Sequence, residues 1–171
     1  MPPRNDAPAP ASPAPEPHGA EAPPSHGVSA TAHLDKEIYG IGEAIQLTVA
    51  LHNDLPQPIA LVHPDYWGVS EIHVFDAAGQ RVEPTSTYKA HRKAVQETWT
   101  IDGGSLASHT FEDMTTFTCC NAYTYRSLPA GSYSVAVEIT NPPTRTDPPE
   151  GWSGGWEGRV TSPRVAFRVG R

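Results

Sequence analysis

Two adjacent cysteines, Cys119 and Cys120, are the side chains of this sequence with the widest choice of chemistry. Adjacent Cα atoms lie about 3.8 Å apart, which is closer than in ordinary disulfides, so a bridge between them would be strained and readily reduced. Two neighbouring thiols can also bind a soft metal ion together with a histidine, but no C-x-x-C spacing typical of zinc sites accompanies them. A third state, in which both thiols are free and point to opposite faces of a strand, is the one that we favour.

Eight histidines are the next potential metal ligands, and they are scattered along the chain. His63 and His73 are the candidates to complete a site with the cysteines, because side chains on neighbouring strands approach within about 5 Å. The pattern places His73 on the outward face of a strand, where we expect a solvated histidine without a role. No metalloprotease, phosphate-binding or nucleophile motif is present. We therefore predict no metal, no cofactor and no catalytic residue.

Aromatic residues in two turn-like segments are better candidates for recognition. Tyr66 and Trp67 lie in the segment H-P-D-Y-W-G, and Trp152 and Trp156 lie in the segment E-G-W-S-G-G-W-E-G. Aromatic side chains in loops offer a large contact area at a small entropic cost. The sequence therefore predicts that these four residues bind a protein partner. The alternative is that the tryptophans fold back and close the open ends of a sandwich.

The charge and the hydropathy of the chain exclude two classes of interaction. The formal net charge is −7 and is spread along the sequence. No run of Lys or Arg interleaves with aromatic residues, as a nucleic-acid surface requires. No apolar run approaches the roughly eighteen residues of a membrane span. We therefore predict neither nucleic-acid binding nor a membrane-spanning segment.

The first thirty residues differ in composition from the rest of the chain. Residues 1–30 contain nine of the 19 prolines, seven alanines and no aromatic residue. Such a segment buries too little apolar surface to offset the entropy of ordering, so we predict a disordered, Pro/Ala-rich tether over 1–30 and one domain over 31–171. Tethers of this kind commonly follow a removed export signal or lipid anchor. We therefore expect a periplasmic or cell-surface protein rather than a cytoplasmic one.

Period-two alternation of apolar and polar residues predicts that the domain is all-β. Its organising strand runs from Tyr133 to Thr140, and Tyr133 predicts a tyrosine corner, in which the hydroxyl binds the preceding loop. Further strands are predicted at 28–36, 44–53, 59–62, 69–76, 80–84, 99–101, 105–113 and 159–169, with a turn at 37–43 and loops at 85–98 and 141–158. Seven to nine strands without an amphipathic helix indicate an antiparallel Ig-like β-sandwich.

Several of these segments resemble bacterial Ig-like accessory domains. They are Tyr39-Gly-Ile-Gly-Glu43, the alternating run Ile45–Asn53, the hairpin Ser70–Gly79 and the strand entry Leu128–Tyr133. Such domains include the intracellular proteinase inhibitor (BsuPI-like) family, the domain that precedes lysyl-type metalloendopeptidases, and macroglobulin-type modules. The resemblance covers about two-thirds of the chain and implies a sandwich that binds protein, including peptidases, although motifs that fix turns and strand starts specify a fold better than an activity.

The residues and the resemblance together predict a non-enzymatic protein-binding module. We expect it to be tethered at the bacterial cell envelope and to contact a peptidase or an envelope complex through its aromatic loops. A peptidase inhibitor of the BsuPI-like type is the first alternative. A small metal-handling protein that uses Cys119, Cys120 and a histidine is the second.

Overall fold

The protein folds into short and medium β-strands, as the alternation predicts. The structure is a computed structural model, and it describes residues 27–62, 70–87, 98–115, 123–125, 128–141 and 156–170. Its strands are β1 (Val28–Leu34), β2 (Ile38–Gly40), β3 (Leu47–Asn53), β4 (Ile59–Val62), β5 (Ser70–Asp76), β6 (Ser86–Thr87), β7 (Thr98–Ile101), β8 (Leu106–Phe111), β9 (Tyr123–Thr124), β10 (Gly131–Asn141), β11 (Gly158–Thr161) and β12 (Val165–Gly170). These ranges contain no helix, and hence none that is long and apolar enough to cross a membrane.

Strand β10 is the central strand of the larger sheet. Along one edge it pairs antiparallel with β5, from Tyr133 to Ile139. Along the other edge it pairs with β12 near its start and with β11 near its end. Strand β12 in turn pairs in parallel with the short edge strand β2. The prediction that this strand organises the chain is therefore confirmed.

The second sheet consists of β1, β3 and β8, with β3 in the middle and both pairings antiparallel. Two short antiparallel ribbons, β4 with β7 and β6 with β9, are paired separately from these sheets. Buried residues from both sheets and from the β4–β7 ribbon form one hydrophobic core. This arrangement confirms the antiparallel Ig-like sandwich.

The core follows directly from the alternation of the sequence. In β3 the residues Leu47, Val49 and Leu51 are fully buried, while the residues between them are only partly so. In β10 the residues Val137 and Ile139 are fully buried on the matching face. Each such side chain contributes about 1.5–3 kcal/mol to folding through the apolar surface that it removes from water.

Tyr133 forms the predicted tyrosine corner at the start of β10. Its hydroxyl donates a hydrogen bond to the carbonyl of Pro129 over 3.0 Å. Its ring stacks on Phe167 of β12 with 5.6 Å between centroids, and Tyr39 of β2 meets the same Phe167 edge-on at 6.0 Å. These contacts fix the entry into β10 against the neighbouring strands.

Some predicted boundaries are wrong, because long-range pairing decides them. Residues 38–40, predicted as part of a turn, form β2 through parallel pairing with β12. Residues 159–169, predicted as one strand, are divided by Pro163, which has no N–H with which to continue a ladder, into β11 and β12. The predicted return arm at 80–84 contributes a single bridge from Arg81 to Phe75.

Two further predictions concern segments that the structure describes only in part. The predicted loop at 85–98 contains β6 and the first residue of β7. Residues 28–30, which the composition assigns to the tether, lie in β1. Residues 1–26 of that tether lie outside the described ranges.

Candidate functional site

The two aromatic segments attach at the same end of the larger sheet. Ser70, the first residue of β5, lies opposite Ile139 of β10, and Asn141, the last residue of β10, lies opposite Gly158 of β11. Because β5 and β11 flank β10 and neighbouring strands are about 4.8 Å apart, the two attachment points lie about 10 Å apart across the sheet. We call this part of the sheet, formed by Ser70, Ile139, Asn141 and Gly158, the attachment end.

Asn141 and Trp156 hold together the two ends of the longer aromatic segment, which contains Trp152. Asn141 is 2% exposed, and its side-chain Nδ2 donates a hydrogen bond to the carbonyl of Trp156. The indole ring of Trp156 is 6% exposed and belongs to the hydrophobic core. The residues on either side of segment 142–155 are therefore held together on a rigid scaffold, an arrangement that commonly supports recognition loops.

Trp156 is the one predicted binding residue that lies among the described residues, and its position matches the alternative interpretation. The ring packs inside the sandwich, and its buried Nε1 has no hydrogen-bond partner among those residues. In this position Trp156 supports the attachment end from within instead of offering its ring to a partner. Six further predicted site residues lie outside the described ranges, namely Tyr66, Trp67, Trp152, His63, Cys119 and Cys120. The disulfide considered between Cys119 and Cys120 lies outside them as well.

His73 lies beside two glutamates that the sequence analysis did not select. Glu71 and Glu138 are direct partners across the β5–β10 ladder, and His73 follows Glu71 by two positions on the same face. One imidazole nitrogen and one oxygen from each carboxylate lie within 4.8 Å of one another. Sequence alone did not bring the three together, because the register of β5 against β10 joins residues that are far apart in the chain.

The expectation of a solvated His73 is wrong. The side chain points to the outward face of the sheet as predicted, yet the residue is only 9% exposed. Burial lowers the pKa of His73 and the positive charge of Arg81 lowers it further, whereas the carboxylates of Glu71 and Glu138 raise it. Because the net shift is downward from 6.5, His73 is neutral near pH 7.

This shift predicts how stability depends on pH. Below its ordinary pKa of 6.5, unfolded His73 binds a proton, while the folded protein resists protonation. The unfolded state then carries more protons, so stability is lost as the pH falls through this range. In metal-free buffer we expect the free energy of unfolding, measured with urea, to decline less steeply between pH 7 and 5 in His73→Gln than in the native chain. Equal slopes for the native chain and His73→Gln, or the same change of slope in the exposed control His33→Gln, would contradict the prediction.

A shallow groove lies at the opposite end of the larger sheet. It has a volume of 240 Å³ and is lined by Ile38, Gly131, Ser132, Arg168, Val169 and Gly170. Ile38 is 62% exposed, and nearby Ile41 is 57% exposed. Since Gly131 begins β10 and Asn141 ends it, this groove lies about 33 Å from the attachment end. The two surfaces can therefore be tested separately.

No protein-family model matches the chain, and neither does any curated protein. Solved structures that are similar include the sporulation control protein Spo0M of Bacillus subtilis, at 12% identity and a TM-score of 0.43, covering 84% of this chain and 49% of that one. The CARDB domain of a Pyrococcus furiosus protein is similar at 11% identity and a TM-score of 0.37, covering 84% of this chain and 94% of the domain. The alkylpurine DNA glycosylase AlkC of Pseudomonas fluorescens, solved with DNA containing an abasic site analogue, has 15% identity and a TM-score of 0.39, covering 90% of this chain and 32% of AlkC.

These likenesses carry no argument about what the chain does. The chain spans about half of Spo0M and about a third of AlkC. The class that the fold itself defines is a β-sandwich module of Ig-like type. Membership of the BsuPI-like inhibitors, or of the domains that precede lysyl-type peptidases, has no support from a family match.

Proposed function

We propose that this chain is a non-enzymatic protein-binding module and that its partner contacts the attachment end of the larger sheet. The observation that carries the proposal is that β5, β10 and β11 bring the attachment points of both aromatic segments together. A rigid sheet to which two aromatic segments attach at neighbouring points can supply the contact area that protein recognition uses. Tyr66, Trp67 and Trp152 are the contact residues in this proposal, and Trp156 supports the attachment end from the core.

The proposal extends to location and to the class of partner. The proline and alanine content of residues 1–30 supports a tether at the cell envelope, where the sandwich would meet its partner. The resemblance to Ig-like accessory domains supports a peptidase or an envelope complex as that partner. The spread negative charge of −7 favours a partner with a basic contact surface.

Affinity capture from envelope extracts tests the proposal. The baits are the native chain, Tyr66→Ala/Trp67→Ala, Trp152→Ala and the control Ile38→Ser, which changes the exposed groove at the far end of the sheet. Truncation of an aromatic hot spot costs about 2 kcal/mol or more, which weakens binding about thirtyfold. We expect one partner to be retained by the native chain and by Ile38→Ser and to be lost from both aromatic variants.

Two results would overturn this assignment. A partner that is lost from Ile38→Ser but retained by both aromatic variants would move recognition to the groove. Stoichiometric inhibition of an enzyme in a panel of serine and metallopeptidases, unaffected by the aromatic variants, would replace the proposal with the inhibitor alternative.

A further inference from the structure

We infer that Glu71, His73 and Glu138 form a binding site for a divalent transition-metal ion, for which Zn²⁺ is the probe. The site lies on the outer face of β5 and β10, and it uses neither cysteine. Imidazole nitrogens and carboxylate oxygens are both ligands that Zn²⁺ takes, and zinc sites with three protein ligands leave a fourth position open. The inference does not depend on the proposed protein-binding function.

The distances suit ligands that share one cation. His73 Nε2 lies 3.5 Å from Glu71 Oε2, which is longer than the roughly 2.9 Å of a good N–H···O hydrogen bond. Ligand atoms about 2.0–2.2 Å from a tetrahedral zinc ion lie about 3.4 Å from one another, which is close to the observed separation. All three ligand atoms lie within 4.8 Å of one another. To reach the separation found around a zinc ion, a ligand atom must move by about 1.4 Å or less, which rotation of a glutamate side chain can supply.

The β5–β10 ladder holds the ligands in a fixed relation. Glu71 is paired with Glu138, and His73 is paired with Ala136, whose small side chain takes little space on that face. Nδ1 of His73 is buried, which leaves Nε2, the atom that faces Glu71, as the metal-binding nitrogen. Ligands on paired strands are positioned more accurately than ligands on loops.

The two carboxylates of the site also favour a cation. Carboxylates directly opposite each other in an antiparallel pair repel, so Glu71 and Glu138 need positive charge between them. Arg159 supplies part of it, with Nε 3.2 Å from Glu138 Oε1, but its side chain is 66% exposed. A surface pair of this kind contributes little to stability. A divalent ion that binds both carboxylates directly can therefore displace it.

Zinc titration of the full-length chain, in a Cys119→Ser/Cys120→Ser background, tests the inference without thiol binding. Isothermal titration calorimetry should give one Zn²⁺ per chain. Glu71→Gln and Glu138→Gln should each lower the affinity for Zn²⁺ by more than about tenfold. Loss of a residue that only supports a metal ligand already lowers affinity about tenfold, and these residues would bind the ion directly. The controls Glu83→Gln and His33→Gln, which change exposed residues elsewhere, should bind as the background does.

Nuclear magnetic resonance supplies a readout that depends on His73 without replacing it. Saturation with Zn²⁺ should shift the imidazole Nε2 signal of His73 in the background protein. Far-UV circular dichroism and thermal melts confirm that each glutamine variant is folded. The inference is overturned by failure to bind Zn²⁺, or by zinc affinity that is unchanged in both Glu71→Gln and Glu138→Gln, since the ion would then occupy other residues.

Discussion

Replacing Asn53 with aspartate is expected to lower the free energy of unfolding by about 3 kcal/mol or more. Asn53 is 1% exposed, and its Nδ2 donates to the carbonyls of Gln57, Ile101 and Asp102 over 2.9, 3.1 and 3.2 Å. Its Oδ1 accepts a hydrogen bond from the N–H of Leu55 over 3.1 Å. The amide thereby ties the end of β3 to the following turn and to the end of β7. A carboxylate in its place faces three carbonyl oxygens with no proton to donate.

A matched substitution separates this effect from the chemical change itself. Gln57→Glu makes the same amide-to-acid replacement in the same turn, but that side chain is exposed, so we expect a change within about 0.5 kcal/mol. Urea unfolding at pH 7 measures both variants. Equal stabilities for Asn53→Asp and Gln57→Glu would contradict the role of Asn53 as the hydrogen-bonding centre of this corner.

Replacing Trp156 with alanine is expected to lower the free energy of unfolding by about 3–5 kcal/mol, the usual cost of removing a buried aromatic ring. The ring is 6% exposed within the core and lies at the base of the longer aromatic segment. Trp156→Phe should cost much less, because it keeps an aromatic ring and removes a buried N–H that has no hydrogen-bond partner among the described residues. A Trp156→Ala variant that is much less stable than Trp156→Phe would therefore show that the ring is buried.

The control for Trp156 is a large apolar side chain on the surface. Leu106 is 58% exposed at the start of β8, so Leu106→Ala should change stability by about 0.5 kcal/mol or less. Urea unfolding compares the three variants with the native chain. A Trp156→Ala variant as stable as Leu106→Ala would contradict the buried position of Trp156 and make its ring a candidate for partner contact again.

The local parts of the fold could be predicted from the sequence. Alternation identified β3, β4, β5 and β10 because these strands each present a row of apolar residues to one core. The turn before Tyr133 fixed the start of β10 and the hydroxyl contact to Pro129. In these cases the signal is local, because the alternation of a single strand and the turn beside Tyr133 each lie within a few consecutive residues.

The remaining features depend on pairings between distant segments. The parallel partner of β2 is β12, near the carboxyl end of the described residues, and no local pattern around the glycines indicates it. Glu71 and Glu138 are likewise far apart in the sequence, and only the pairing of β5 with β10 makes them neighbours. The residues around Trp156 have the composition of a recognition loop, and only the packing of the core shows that its ring is buried.

Site-specific photo-crosslinking in cells tests the proposed recognition surface most directly. A photoreactive phenylalanine analogue is introduced in place of Trp67 or Trp152, and in place of Ile38 at the groove as the control. We predict covalent adducts with the same partner protein from both aromatic positions and none with that partner from Ile38. Adducts from Ile38 alone would place the partner about 33 Å away, at the other end of β10, and would contradict the account.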